Sequence, residues 1–261
     1  MNINKMNFSG SFYPESENDL KKYFEYFNKN KKNIVLNLKP RAIIVPHAGY
    51  IYSGSVANLA YNLTKDVKPK RVIVIGPSHR YYLEGASISL YDSYETPLGN
   101  LEIDLSYANF LKENYSWLIF NDDVHMEHST ETQIPFIKNY YESKVIEIIY
   151  GEIDYMSLST LVVELLKDDE NFVVISTDLS HFHNLNEANI IDKKTIDAIE
   201  KKDIDLLDDA CEACGIVGVK AIIEASNILN FKSQFLDYKT SFENTNDDTS
   251  VVGYTSFVIG E

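Results

Sequence analysis

Three apolar runs in this chain end in the same way, and that repetition constrains the fold more than any other feature. RAIIVPHAGY (41–50), RVIVIGPSHR (71–80) and NFVVISTDLSHFH (171–183) each start as Val and Ile and break into a polar turn carrying histidine. Short apolar runs without polar alternation are expected of strands covered on both faces. In open α/β sheets, ligands gather in the crevice beyond the carboxyl ends of the parallel strands. Histidines delivered there by separate strands can converge although they lie far apart in sequence.

The segments between these runs read as helices and further strands. Residues 14–30 place Leu20, Tyr23, Phe24 and Phe27 at helical spacing among Lys and Glu. Helices are also expected over 52–63, 105–114, 131–141, 156–166, 188–201 and 217–229. Strands are expected over 41–46, 71–76, 86–90, 145–150, 172–177, 235–239 and 251–259, with 242–250 as a surface loop between the last two. Alternating strands and helices specify an α/β protein with helices on both sheet faces. With no internal repeat and no Pro/Gly/Ser-rich linker in 261 residues, a single domain spanning 1–261 is expected.

Composition narrows the function classes. The chain is 44% hydrophobic and 24% charged, as in a soluble globular protein with a full core. Its 24 basic and 39 acidic residues give a net charge of −15, which repels phosphate backbones and anionic lipid, so no nucleic-acid or membrane partner is expected. No stretch reaches the roughly 18–20 apolar residues of a membrane helix, and the start, MNINKMNFSG, has no secretory signal pattern. Two cysteines do not make a disulfide framework. A cytoplasmic setting is expected.

Several residues are candidates for chemistry. His47 and His79 sit just past separate strands, and two imidazoles facing one cleft are the usual start of a transition-metal site; a hydrogen-bonded structural role is the alternative for each. Asp178 and His181, three residues apart, suit metal ligation, acid–base transfer or an Asp–His hydrogen bond; the alternative is a helix-capping Asp beside solvent-facing histidines, with His183 the more exposed. In EHSTETQ (127–133), Thr130 and Gln133 fit a capping box, which leaves Glu127 and His128 unexplained and His128 a candidate for the pocket lining. His125 reads as a surface residue. Cys211 and Cys214 form a C-x-x-C without the second pair of a zinc site, and it follows the helix-like acidic stretch DIDLLDDA (203–210). Cys214 precedes a helix whose dipole would favour a thiolate. G-x-S-x-G, P-loop, G-x-G-x-x-G and H-E-x-x-H patterns are absent.

The motifs GSFYP (10–14), VPHAGYIYSG (45–54), GPSH (76–79), ETPLG (95–99), EHSTETQIPF (127–136), STDLSHF (176–182) and CG (214–215) occur in an order and spacing spanning almost the whole chain. In these the sequence resembles the Memo-like proteins, named for a mediator of ErbB2-driven cell motility and widespread in archaea and bacteria. The resemblance implies a three-layer α/β/α sandwich around a mostly parallel, mixed sheet, akin to the class III extradiol dioxygenases. It implies a metal, iron(II) or copper, held by His47, His79 and Cys214, with Asp178, His181 and His128 lining the same pocket as catalytic candidates. A thiolate in place of the dioxygenase carboxylate is a softer donor, so catechol cleavage is not implied. The expected function is therefore a metal-dependent oxidoreductase acting on an unidentified small molecule. The alternatives are an extradiol-type dioxygenase acting on a catechol-like aromatic, and a non-enzymatic protein that binds peptide or small molecule in the ancestral cleft. The family's genes often lie beside those of a radical S-adenosylmethionine protein and an AMMECR-type protein, which implies a shared pathway.

Overall fold

The computed structural model describes residues 2–209 and 211–261. In chain order the strands are β1 (Ile3–Asn4), β2 (Pro40–Val45), β3 (Arg71–Pro77), β4 (Ala86–Ile88), β5 (Ser93–Tyr94), β6 (Leu101–Glu102), β7 (Leu118–Ile119), β8 (Lys144–Tyr150), β9 (Asn171–Ser176), β10 (His181–His183), β11 (Lys232–Thr240) and β12 (Val251–Gly260). The helices are α1 (Glu17–Lys29), α2 (Tyr50–Thr64), α3 (Leu105–Asn114), α4 (His128–Glu131), α5 (Ile134–Tyr140), α6 (Tyr155–Lys167), α7 (Leu185–Lys201), α8 (Ile204–Asp209), α9 (Ile216–Ile228) and α10 (Phe242–Thr245).

At the centre of the main sheet, β2, β9, β3 and β8 lie side by side and parallel. Antiparallel strands flank them, β12 against β2 and β4 against β8, which makes the sheet mixed. Period-2 alternation sorts each central strand between two cores. Ile43, Val45, Val72, Val74 and Val174 face a layer built from α1, α2 and α5, where Leu20, Phe24, Leu59 and Phe136 meet them. Ile44, Ile73, Ile75, Ile146 and Ile175 face the opposite layer, where Leu161, Leu165, Val219 and Ile222 of α6 and α9 pack. Both faces are therefore dry, and strands that lack polar alternation are the consequence.

Register decides where the site falls. Val45 pairs with Ser176, and Ile75 with Ile175, so the three central strands end at one level. His47 and Asp178 each come two residues beyond the Val45–Ser176 pair, and His79 comes four residues beyond Ile75. A common crevice receives all three turns.

Some expectations need correction. The helix expected over 131–141 is two: α4 ends at Glu131, and α5 begins after a turn with Pro135 in its first turn. A proline lacks the N–H that an interior helical position would need, so a new start accommodates it. Residues 181–183 form an edge strand on β12, with Phe182 at φ 65°, where the sequence offered only a polar turn carrying histidine. The stretch 203–210 forms α8 as far as Asp209, and Ala210 lies outside the described residues. The loop 242–250 contains the short α10.

Candidate metal centre

The turn after β2 is fixed by Asp178. Its Oδ1 accepts the backbone N–H of His47 at 2.8 Å and of Ala48 at 3.3 Å, tying the ends of β2 and β9 together. His47 is buried, and its Nδ1 lies 3.0 Å from Ser176 Oγ. That hydroxyl spends its proton on the Ser129 carbonyl at 2.5 Å, so it accepts from His47 Nδ1–H. The tautomer follows: Nε2 of His47 carries the free lone pair.

Glu127 does the equivalent for the other two rings. Its fully buried carboxylate accepts the His79 backbone N–H at 2.7 Å and stands 3.1 Å from His79 Nδ1. His128 Nδ1 is 2.8 Å from the same oxygen, but off the line of a straight hydrogen bond. Burial alone would raise the Glu127 carboxyl, yet the contacts from His128 and His79 outweigh it and hold the group well below the usual range. With Nδ1 of each ring facing Glu127, Nε2 is the nitrogen each has left to offer.

His47, His79 and His128 thereby form a cluster in which one ligand atom from each lies within 4.8 Å of the others. Their ring centroids are 5.2, 5.4 and 4.6 Å apart. Burial, and then repulsion from His79 and His128, hold His47 well below the ordinary imidazole pKa. Three imidazoles gathered on one space are a cation site by chemistry: nitrogen donors of borderline softness, set beside a buried carboxylate and a hydroxyl. The residues fit a transition-metal ion.

Cys214 stands beside the trio. Its Sγ is 3.2 Å from His47 Nε2 and accepts the Asp178 backbone N–H at 3.2 Å. Gly215 makes this approach geometrically available, since a Cβ there would sit 2.8 Å from Thr177 Oγ1 and 2.9 Å from the Ser176 carbonyl. The sulfur is thus on the same side of the sheet as the histidines, but the mutually close group takes His128 as its third member. The thiolate expected from the helix dipole is not favoured in the metal-free protein. Burial first, then the Asp178 charge, push the thiol up to about 12.

His181 enters the same electrostatic neighbourhood, its charge acting on both His47 and Asp178. Its Nδ1 is 2.8 Å from the Leu179 carbonyl, so that carbonyl, rather than the Asp178 carboxylate, orients the ring. Asp178 itself is buried and raised above the usual carboxylate range by that burial, with the His47 N–H opposing. His183 is half-exposed and pairs with Glu212 at 2.8 Å, away from the cluster.

His125, expected at the surface, is buried. Its Nδ1 is 2.6 Å from Glu147 and its Nε2 2.8 Å from Ser87 Oγ, and Tyr94 and Thr130 also bond Glu147. This network occupies Thr130, and Gln133 reaches the Pro46 carbonyl and Ser176 Oγ at 2.9 and 3.0 Å, so neither residue caps a helix as expected. Glu127 takes that role, accepting the Ser129 N–H at 3.1 Å. Glu127 and Gln133 are the site residues that sequence reasoning missed. An acid next to a histidine was the visible signal for Glu127.

Fold and site define a class: a mixed α/β sandwich that gathers histidines at the carboxyl ends of its parallel strands in an arrangement able to hold a metal ion. The comparisons with known proteins narrow it. The Memo-like protein family model matches residues 4–258. A MEMO1 family protein of Aquifex aeolicus is 32% identical over 99% of both chains, and one of Thermoplasma volcanium is 30% identical over 98% of both. An uncharacterized Escherichia coli K12 protein of known crystal structure, JW3007, is similar in fold at a TM-score of 0.55 and 13% identity, covering 84% of this chain and 100% of its own. The chain belongs to the Memo-like family. Among the described residues no helix is long and apolar enough to cross a membrane.

Proposed function

We propose that this chain is a metal-dependent oxidoreductase whose iron or copper is held by His47 and His79, with Cys214 or His128 completing the ligand set. The observation that carries this reading is the cluster itself: one ring nitrogen from each of His47, His79 and His128 lies within 4.8 Å of the others, with His47 Nδ1 held by Ser176 and His79 Nδ1 by Glu127. When bound, such an ion supplies Lewis acidity and one-electron redox chemistry toward a small substrate. The chain's own residues supply the rest. Asp178 fixes the loop that carries His47, and Glu127 fixes the loops that carry His79 and His128. His181, half-buried and held by the Leu179 carbonyl, is placed to take or give a proton at Nε2.

The test is metal stoichiometry. The protein is loaded anaerobically with iron(II), and separately with copper(I), desalted and analysed for bound metal alongside His47→Ala, His128→Ala and Cys214→Ala. Loss of His47 is expected to cut metal affinity at least about 10–100-fold, the range seen even for outer partners of metal ligands. Whichever of Cys214→Ala and His128→Ala follows it identifies the third ligand. Full occupancy in His47→Ala would overturn the proposal.

A further inference from the structure

A cleft of about 390 Å³ opens beside the histidines, lined by His79, Arg80, Tyr81, Tyr82, Tyr150 and Cys214 among others. Arg80 is the unusual member. The sequence has three arginines among its 39 carboxylates' worth of opposite charge. Two of them are paired: Arg41 with Asp169 and Glu261 at 2.6 and 2.8 Å, and Arg71 with Asp168 and Glu170 at 2.7 and 3.1 Å. Among the described residues Arg80 has no carboxylate partner, although the chain carries an excess of acid.

It is nevertheless seated. Its guanidinium lies 4.7 Å over the Phe8 ring, and that ring stands 5.7 Å from His128. Phe8 is held in turn by its backbone N–H on Glu131 at 2.8 Å. A guanidinium stacked on an aromatic face keeps its in-plane N–H donors free for a planar, bidentate acceptor. The carboxylate in the cleft lining, Glu152, acts on Tyr82, whose phenol is raised first by Glu84, then by slight burial and by Glu152. Tyr81, Leu83, Tyr150 and Val217 give the otherwise polar walls an aromatic and apolar stretch, and the volume suits a body of one ring.

We propose that Arg80 is a specificity residue that selects substrates carrying an anionic group, carboxylate or phosphate, on a ring-sized body. The inference rests on the reading above that this cleft is the substrate side of the metal centre. Arg80 grips the anion and the ring lies along the tyrosine wall, beside His79 and Cys214.

Calorimetric titration of benzoate, phenyl phosphate and neutral benzamide tests this in the metal-free protein, where the anion has no bound ion to ligate, and again after iron(II) loading. In the metal-free native protein at least one anion is expected to bind about tenfold more tightly than benzamide, the worth of one charge-assisted pair; the tighter of the two identifies the anion. Arg80→Ala is expected to erase that preference, and Arg80→Lys to keep part of it, since a lysine keeps the charge but not the fork. Equal anion affinity in native protein and Arg80→Ala, no preference over benzamide, or no anion binding would each overturn the inference. Elemental analysis of the same loaded samples separates the two proposals. An Arg80-dependent anion preference in a protein that takes up no metal would remove the metal reading alone, whereas normal metal content without that preference would remove this one.

Discussion

Glu131 shows how one buried acid shapes the wall of the site without touching a candidate ligand. Its carboxylate accepts the backbone N–H of Asn7 and Phe8 at 3.0 and 2.8 Å and the Tyr13 hydroxyl at 2.8 Å. The N-terminal segment is thereby laid against His128, with the Phe12 ring 4.9 Å from it. Burial raises the Glu131 carboxyl above its usual range, and these donors, with the Asn7 side-chain amide, only partly oppose this. The sign is then fixed. A carboxyl that is harder to ionise in the folded state contributes most below its unfolded pKa of ~4.3, and that contribution is lost as pH rises through the higher folded value. Glu131→Gln does not titrate, so the difference in melting temperature between native and variant should move against the native protein as pH rises from about 4 into the neutral range. Thermal melts across that range check it. A constant difference would mean that Glu131 ionises as freely in the fold as outside it.

Elements, rather than single residues, were the part most legible in the sequence. RAIIV, RVIVI and NFVVIS announce buried parallel strands because both faces must be apolar, and a histidine past each end follows from where a polar turn has to begin. The short, local pieces were not legible. His128 with Ser129 and Thr130 folds into a one-turn helix because Glu127 caps it and Gly76 gives it room, both of which are tertiary facts. Likewise nothing in the order His125–Glu127–His128 says that the first histidine turns inward to Glu147 while the last joins His47 and His79. The dependence on Gly76 is testable. A Cβ on it would come within 2.7 Å of Ser129 Oγ and 2.9 Å of Thr130 Cγ2, so Gly76→Ala must push α4, and His128 with it, off the end of β3. Overpacking of this kind costs about 1–3 kcal/mol, and both the denaturation midpoint and metal affinity should fall. Gly99→Ala is the control. At φ 92° it carries backbone strain of about 1–2 kcal/mol but meets nothing within 4 Å, so it should lower stability and leave metal affinity intact.

At the scale of the whole molecule, the candidate ligands come from four places: the ends of β2 and β3, the start of α4 and the turn before α9. Only the assembled sheet, in the order β2–β9–β3–β8, brings them together, because β9 lies between the strands that deliver His47 and His79. An unfolded chain offers the same side chains scattered from residue 47 to residue 214, with none of the oriented Nε2 lone pairs. A metal ion should therefore prefer the folded state and stabilise it by mass action. At free metal one hundredfold above the dissociation constant the gain is about 2.7 kcal/mol, reduced by whatever the unfolded histidines and cysteines bind. Anaerobic thermal melts with graded iron(II) should show a melting temperature that climbs with metal concentration in the native protein and stays flat in His47→Ala, whose fold loses one imidazole but keeps both cores. Parallel climbs in the two proteins would mean that the metal binds elsewhere on a surface of net charge −15, and the strand-end cluster would lose its claim to the ion.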